Sequence, residues 1–182
     1  MMVLTQLKRT RTCSQEPDVV DLLLECHERI RHFTRLAAWL ADAHDAPALS
    51  VQETARDVHR YFTVALPLHS ADEDLSIAPR LLKLRLPEEL EVATAAMTGQ
   101  HETIEATLSA LAPMWAAVAE DSSRLVRLAA AMEKSVDKLQ SLWLTHLHLE
   151  ETMVFPAVRG RLSPGDQARI LQEMRDRRRP EP

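Results

Sequence analysis

Residues 143–156 have the sequence WLTHLHLEETMVFP, and this stretch holds the strongest indication of the fold. An α-helix advances about 100° per residue, so residues three and four positions apart lie on the same face. On such a helix Trp143, His146 and Glu150 continue an apolar stripe that contains Leu139 one turn earlier. The stretch therefore predicts an amphipathic helix whose inward face carries a histidine and, one turn later, a glutamate.

The same His-x-x-x-Glu pattern occurs twice more, at His69 to Glu73 and at His101 to Glu105, in a chain with eight histidines. Each pair presents an imidazole nitrogen and a carboxylate oxygen to the same neighbour, because the two side chains lie one helical turn apart. Imidazole together with carboxylate is a ligand set for iron, manganese or zinc. Three such pairs on helices that face one another therefore predict a metal site.

Apolar residues recur at helical spacing along four long segments of the chain and one short one. The chain has only three glycines and is rich in Ala, Leu and Glu, and this composition also favours helices over strands. The predicted long helices cover about residues 17–42, 50–78, 87–120 and 121–155, and a short amphipathic helix follows at 163–175.

Caps and prolines set the expected limits of these helices. Ser50 and Glu53 form a capping-box pattern, which predicts the start of the second helix. Pro79 and Pro156 are expected to end the second and fourth helices, because proline lacks the helical N–H donor and its ring clashes with the preceding turn. Pro67 lies inside the second helix, and we expect a kink just before the first His-Glu pair, His69 to Glu73.

Each of the four inward stripes contains a histidine where the period requires an apolar residue: His27, His69, His101 and His146. Short connections make neighbouring helices antiparallel, and the four histidines then lie at similar depths, to within one or two turns. A single inward histidine is more often a hydrogen-bonded core residue. Burying four of them together without a metal would be costly. The pattern predicts an all-α, up-down-up-down antiparallel four-helix bundle with a short C-terminal helix and a central metal site.

The remaining histidines and the helical cysteine are weaker candidates. His32 and His59 lie off the inward stripes, and His148 is two residues from His146 and so points away from the site. His44 lies in the first loop. Cys26 is a possible soft ligand beside His27, although its simpler interpretation is a small helical residue.

The length of 182 residues indicates one domain. We expect a flexible N-terminal tail at 1–16, the helical bundle at 17–161, and a short helix with a basic tail at 162–182. The net charge of −5 argues against a nucleic-acid surface, and no apolar run is long enough to span a membrane. The tail has no secretory signal, and two cysteines without a pattern suit the cytoplasm.

Four segments carry a resemblance to a known family. Residues 26–30 (CHERI), 66–73 (LPLHSADE), 100–104 (QHETI) and 146–156 (HLHLEETMVFP) resemble the hemerythrin-like (HHE cation-binding) domain. The resemblance extends from about residue 17 to residue 161, and the spacing of the four segments is more specific than any one of them.

This resemblance implies a non-haem centre of two iron ions bridged by two carboxylates. The four inward histidines would be its nitrogen ligands, and Glu73 and Glu150 would be the bridges. Ligating imidazoles usually donate their remaining N–H to an acceptor. The carboxylates close in sequence to the ligands are Glu28, Asp72, Asp74, Glu102 and Glu151, of which most are more simply solvated charges.

Glu105 departs from the pattern of the oxygen-carrying hemerythrins. Those proteins supply a fifth histidine one turn after the histidine of the third helix, and Glu105 occupies that position here. As a seventh ligand it would add an anionic oxygen, which favours ferric iron. A sensor or redox role is then expected rather than reversible oxygen carriage. The alternative, that Glu105 is a surface residue, stays open.

Three classes of function are compatible with these residues. The first is a protein that binds or senses dioxygen or a related small oxidant at a His/Glu-ligated diiron centre, which we prefer. The second is an oxidoreductase that handles peroxide or nitric oxide, or a protein that delivers iron for repair. The third is a bundle in which the metal is structural and the function is to bind a partner. The sequence does not decide whether the protein is an enzyme.

Overall fold

The computed structural model describes residues 17–179, and every regular element within that range is helical. The all-helical prediction is therefore confirmed for this part of the chain. The predicted tail at 1–16 and the last three residues of the predicted C-terminal tail lie outside the described residues. The proposed domain boundaries stay a prediction.

The first two helical rods are α1, Val19–Asp42, and a longer rod over residues 48–81. Asp18 caps α1, since its side chain accepts a hydrogen bond from the backbone N–H of Asp21. The second rod consists of α2 (Ala48–Arg60), a π-helical segment (Tyr61–Ala65), α3 (Leu66–Ala71), a second π segment (Asp72–Ile77) and α4 (Ala78–Leu81).

Two more long helical rods, at residues 88–120 and 122–161, and a short helix at residues 164–177 complete the described part of the chain. They comprise α5 (Glu88–Glu120), a 3-10 turn (Ser122–Arg124), α6 (Leu125–Leu149), a third π segment (Glu150–Val154), α7 (Phe155–Arg161) and α8 (Pro164–Arg177). Ser163 caps α8 by accepting a hydrogen bond from the backbone N–H of Asp166. Pro113 lies inside α5 without shortening it.

Two predicted helix ends were wrong. The second rod continues through Pro79 to Leu81, and the fourth continues through Pro156 to Arg161. Each proline is the second residue of an α-helical piece that directly follows a π segment, and Pro67 has the same position in α3. A proline is tolerated in the first turn of an α-helix, where its missing N–H has no α-helical partner. The π segment Tyr61–Ala65 directly precedes the α-helical piece that contains Pro67 and His69.

The predicted capping box of the second helix was also wrong. The helix begins at Ala48, directly after Pro47, and no side chain caps its first turn. Ser50 therefore lies within the helix. Pro47 directs the chain into the helix because its ring restricts φ, here −56°.

The four long rods contact one another in a ring. α1 packs against α2 and α6, and α5 packs against the same two helices. α8 lies across the segment Asp72–Ile77 and α1. None of the helices within residues 17–179 combines the length and apolarity needed to cross a bilayer.

Within residues 17–179 the apolar core forms two separate clusters, with the four predicted histidine ligands between them. The larger cluster surrounds Trp115, Phe62 and Leu139, and the smaller one surrounds Phe155, Leu81 and α8. Leu23 and Met97 belong to the smaller cluster, whereas Ile30 and Ile104, seven residues further along the same helices, belong to the larger one. His27 and His101 lie between these pairs along the helices.

Candidate metal centre

Four histidines from four rods are buried between the two apolar clusters. His27 comes from α1, His69 from α3, His101 from α5 and His146 from α6, and each is at most 7% exposed. Each replaces an apolar residue on the inward stripe of its helix, so the periodicity that buries the stripe also buries the imidazole.

The two central carboxylates come from π-helical segments. Glu73 lies in the segment Asp72–Ile77, and Glu150 opens the segment Glu150–Val154. Both side chains are fully buried. Each follows its histidine by four residues, and this places a nitrogen and an oxygen of each pair within 3.4 Å: His69 Nε2 with Glu73 Oε1 at 3.4 Å, and His146 Nε2 with Glu150 Oε1 at 3.1 Å.

These six residues form two overlapping groups that could each hold a metal ion. One contains His27, His69, Glu73 and Glu150, and the other contains His101, His146, Glu73 and Glu150. In each group one ligand atom per residue lies within 4.8 Å of all the others. Glu73 and Glu150 are shared by both groups.

Each shared carboxylate directs one oxygen toward each group. Glu150 Oε2 lies 3.0 Å from His27 Nε2, while Oε1 of the same carboxylate lies near His146. Glu73 Oε1 faces His69, while its Oε2 lies 3.3 Å from His101 Nε2. Both carboxylates therefore face both groups of candidate ligands.

Buried polar atoms in this cluster lack hydrogen bonds. Several buried atoms within residues 17–179 have no hydrogen-bond partner in suitable geometry. They are Nδ1 and Nε2 of His69, Nε2 of His27, and the four carboxylate oxygens of Glu73 and Glu150. Leaving such atoms buried and unpaired is costly. His/carboxylate donors at this spacing are suited to divalent iron, manganese or zinc, so the residues present fit a bound metal.

The electrostatics of the metal-free cluster are unfavourable. Burial raises the pKa of Glu73 to about 7 and also raises the pKa of Glu150. Burial lowers the pKa of His146 to about 3, and it lowers the pKa of His69 well below the usual 6.5. Burial acts in the same direction on His101, but the carboxylates of Asp74 and Glu73 outweigh it and raise the pKa to about 9. A cation would stabilise the deprotonated carboxylates.

Three of the histidines have their second ring nitrogen held by an outer side chain. His27 Nδ1 lies 2.7 Å from Glu151, which also accepts a hydrogen bond from Arg31. His101 Nδ1 lies 2.9 Å from Asp74. In each case the contact directs Nε2 toward the centre. Glu151 and Asp74 were among the carboxylates that the sequence offered for this position.

The partner of His146 was not found from the sequence. Its Nδ1 lies 2.9 Å from Oε1 of Gln100, an uncharged side chain on a different helix, 46 residues away. Spacing along the chain gives no signal for such a contact. Gln100 directly precedes His101, so one turn of α5 supplies both a candidate ligand and the support of another.

Asp72 has a role that the sequence did not indicate. Its carboxylate is fully buried, and Oδ1 accepts a hydrogen bond from Arg177 at 2.7 Å while Oδ2 accepts one from Arg178 at 2.6 Å. Both arginines come from the end of α8 and the residue after it. The C-terminal helix α8 is thus hydrogen-bonded to Asp72, the residue that immediately precedes Glu73.

The structure does not bring Glu105 into either group. Its side chain is exposed on α5, at the edge of a groove that also reaches His101. His32, His44 and His148 are exposed as well. Cys26 is buried outside both groups, and its Sγ accepts a hydrogen bond from Arg29.

Two comparisons with known proteins bear on this arrangement. The sequence profile of the hemerythrin HHE cation binding domain matches residues 18–158, with a second match at 92–176. A curated protein of Haemophilus influenzae, described only as an uncharacterized protein, is 26% identical over 122 residues. That alignment covers 65% of this chain and 63% of the relative, so the chain spans less than two thirds of the relative's length.

Proposed function

The chain belongs to the hemerythrin HHE cation-binding domain family, and from that premise we propose that it holds two non-haem iron ions. His27 and His69 would bind one ion, His101 and His146 would bind the other, and Glu73 and Glu150 would bridge them. HHE domains bind metal ions, usually iron. A bound diiron centre would supply redox-active metal with coordination positions for a small exogenous ligand.

One observation supports two ions rather than one. The two groups of ligand atoms share both carboxylates, and each carboxylate divides its two oxygens between the groups. A single ion would leave two histidines and two carboxylate oxygens of the other group buried without partners, which is costly.

The bundle topology is part of the same proposal. The rods are joined by short connections, at residues 43–47, 82–87 and 121, and short connections favour antiparallel neighbours. An up-down-up-down order would bring one histidine from each rod to the same level. The free thiol of Cys26 supports a reducing compartment, and we place the protein in the cytoplasm.

We propose that the centre binds or senses dioxygen or a related small oxidant. The protein side chains offer four donor residues to each ion, which leaves positions for water or a diatomic molecule. Buried apolar side chains on both sides, among them Phe155 next to His27 and Trp143 next to His146, exclude bulk water and suit uncharged diatomics.

The metal assignment is tested by counting iron. We expect two iron atoms per chain in the purified, iron-loaded protein. His146→Ala should lower both the iron content and the thermal stability, because metal binding is coupled to folding. His148→Ala is the matched control, since that histidine lies on the same helix but is exposed. Full iron occupancy in a variant lacking His69 and His146 would overturn the assignment.

The proposal that the centre binds dioxygen or a related small oxidant is tested by optical spectroscopy. We expect the reduced protein to respond to dioxygen or nitric oxide, and the oxidised protein to bind azide with a new charge-transfer band. Recovery of the reduced spectrum on removing dioxygen alone would indicate reversible carriage, whereas a requirement for a reductant would indicate sensing or redox chemistry. Absence of any response would leave a structural metal as the function of the centre.

A further inference from the structure

A groove next to the metal centre runs between the second rod and α5. Its volume is about 510 Å³. Small-molecule sites typically occupy about 300–1,000 Å³, so the groove is far larger than a diatomic ligand requires. Its walls are mostly apolar and include Phe62, Leu66, Ile104 and Leu108, all of which are buried members of the larger core cluster.

The groove reaches the candidate metal ligands at His101. Of the four central histidines, His101 has the largest exposed side-chain fraction, 8%, against 3% for His69 and none for His27 and His146. Asp74, which holds the other ring nitrogen of His101, also lines the groove. A molecule in the groove would therefore contact the edge of the centre that belongs to His101.

Carboxylates outnumber cationic side chains along the groove. Asp74, Glu105 and His101 line it, and no lysine or arginine among residues 17–179 does. Asp74 is engaged by His101, whereas Glu105 has no ion-pair partner within 4.0 Å among residues 17–179. The hydroxyl groups of Thr63, Ser70 and Ser109 are the other polar side-chain atoms along the groove. His101 offsets the charge of Asp74, so the groove has one uncompensated carboxylate, that of Glu105, available to a cation.

We propose that the groove binds a small organic molecule with an apolar body and a primary ammonium group. The ammonium pairs with Glu105, and the apolar body lies against Pro67 and Leu75, which are the exposed apolar side chains of the groove. The consequence that this molecule is a substrate or effector of the metal centre rests on the function proposed above. Binding in the groove does not, because its walls are formed by the protein alone.

The test compares three probes of equal chain length, hexylamine, hexanol and hexanoate, by calorimetry and by chemical-shift changes. We expect hexylamine to bind tightest and hexanoate weakest, in both metal-free and iron-loaded protein. Glu105→Gln should weaken hexylamine about five-fold, the loss of one partly solvated ion pair, and leave hexanol unchanged. Glu102→Gln, an exposed glutamate on the same helix outside the groove, should change neither.

A second variant fills the groove instead of changing its charge. Ser109 is exposed and lines the groove, so Ser109→Trp should block it without disturbing the core, as circular dichroism would verify. Binding of all three probes should then be lost. Equal affinity for the three probes, equal effects of the Glu105 and Glu102 variants, or unchanged binding after Ser109→Trp would each overturn the proposal. Two iron atoms per chain without hexylamine binding would refute the groove alone, and hexylamine binding without iron would refute the diiron proposal alone.

Discussion

Replacing Arg177 and Arg178 together by methionine tests whether α8 stabilises the metal centre. The fully buried carboxylate of Asp72 would lose both of its charged partners, which donate at 2.7 and 2.6 Å. Breaking a buried ion pair by removing one side costs about 3–5 kcal/mol. The two arginine side chains are 20% and 36% exposed, so we take the lower end, about 3 kcal/mol. For a protein of this size that corresponds to a fall in melting temperature of about 6–12 °C.

The same change should weaken iron binding. Asp72 directly precedes Glu73, so releasing it frees the π segment that positions one of the two shared carboxylates. Loss of an outer-shell contact typically lowers metal affinity about 10–100-fold. Thermal melts monitored by circular dichroism, with and without iron, would measure the stability. Competition with a chelator would measure the affinity.

Arg179→Met is the control for this experiment. Arg179 follows directly in sequence, but its ion pair with Asp176 is exposed, and we expect a change below about 0.5 kcal/mol. Adding Asp72→Asn to the double variant removes the stranded charge and should restore part of the stability. If the double variant melts lower but retains iron as tightly as the unchanged protein, α8 stabilises the fold without positioning Glu73, and our reasoning is refuted.

Gln100→Leu should lower iron affinity about 10–100-fold by removing the acceptor that orients His146, and chelator competition would show it; unchanged affinity would mean that the contact has no such role. In the metal-free protein the melting temperature should fall as the pH rises from 6.5 to 9. Burial raises the pKa of Glu73 from 4.5 to about 7, so the stability linked to its proton is already lost as the pH rises from 4.5 to 7. The fall between pH 6.5 and 9 comes from His101, whose pKa is raised to about 9 by Asp74 and Glu73 against the effect of burial, so that its stabilising proton is lost over that interval. An equally steep fall in iron-loaded protein would contradict this account. Glu105→Ala should leave the ligand-field spectrum of the iron-loaded protein unchanged, since the side chain lies outside both ligand groups; a changed spectrum would restore it as a ligand.

Local periodicity was enough to predict which side chains point inward. The stripe that contains His27 lies on one face of a regular helix, and Leu23 and Ile30 on either side of it are buried as expected. In the second and third helices the spacing alone did not decide whether Ala65 or Leu66, and Ile104 or Glu105, points inward. In the structure Leu66 and Ile104 are buried, while Ala65 and Glu105 are exposed. Whether Glu105 faces the centre depends on a few tens of degrees of rotation, which spacing alone does not specify.

The sequence did not predict the long-range contacts or the change from α- to π-helical pitch. The rule that proline ends a helix assumes an uninterrupted α-helix, and the π segments before Pro79 and Pro156 remove that assumption. Asp72 looked like a solvated charge because its partners lie more than 100 residues away, on a helix whose docking position no local pattern indicates. Gln100 was missed for the same reason.

The division of the apolar core into two clusters has a consequence for how the molecule unfolds. A layer of ionisable groups between the clusters gives them little apolar contact with each other at that level, so without metal the two parts are expected to behave as separate cooperative units. The part containing α8 and α7, which has the smaller cluster, would open first, and its amide hydrogens would exchange with solvent before those around Trp115. A bound metal ion ligated from both sides of that layer would join the units, and the two rates of hydrogen exchange would merge into one.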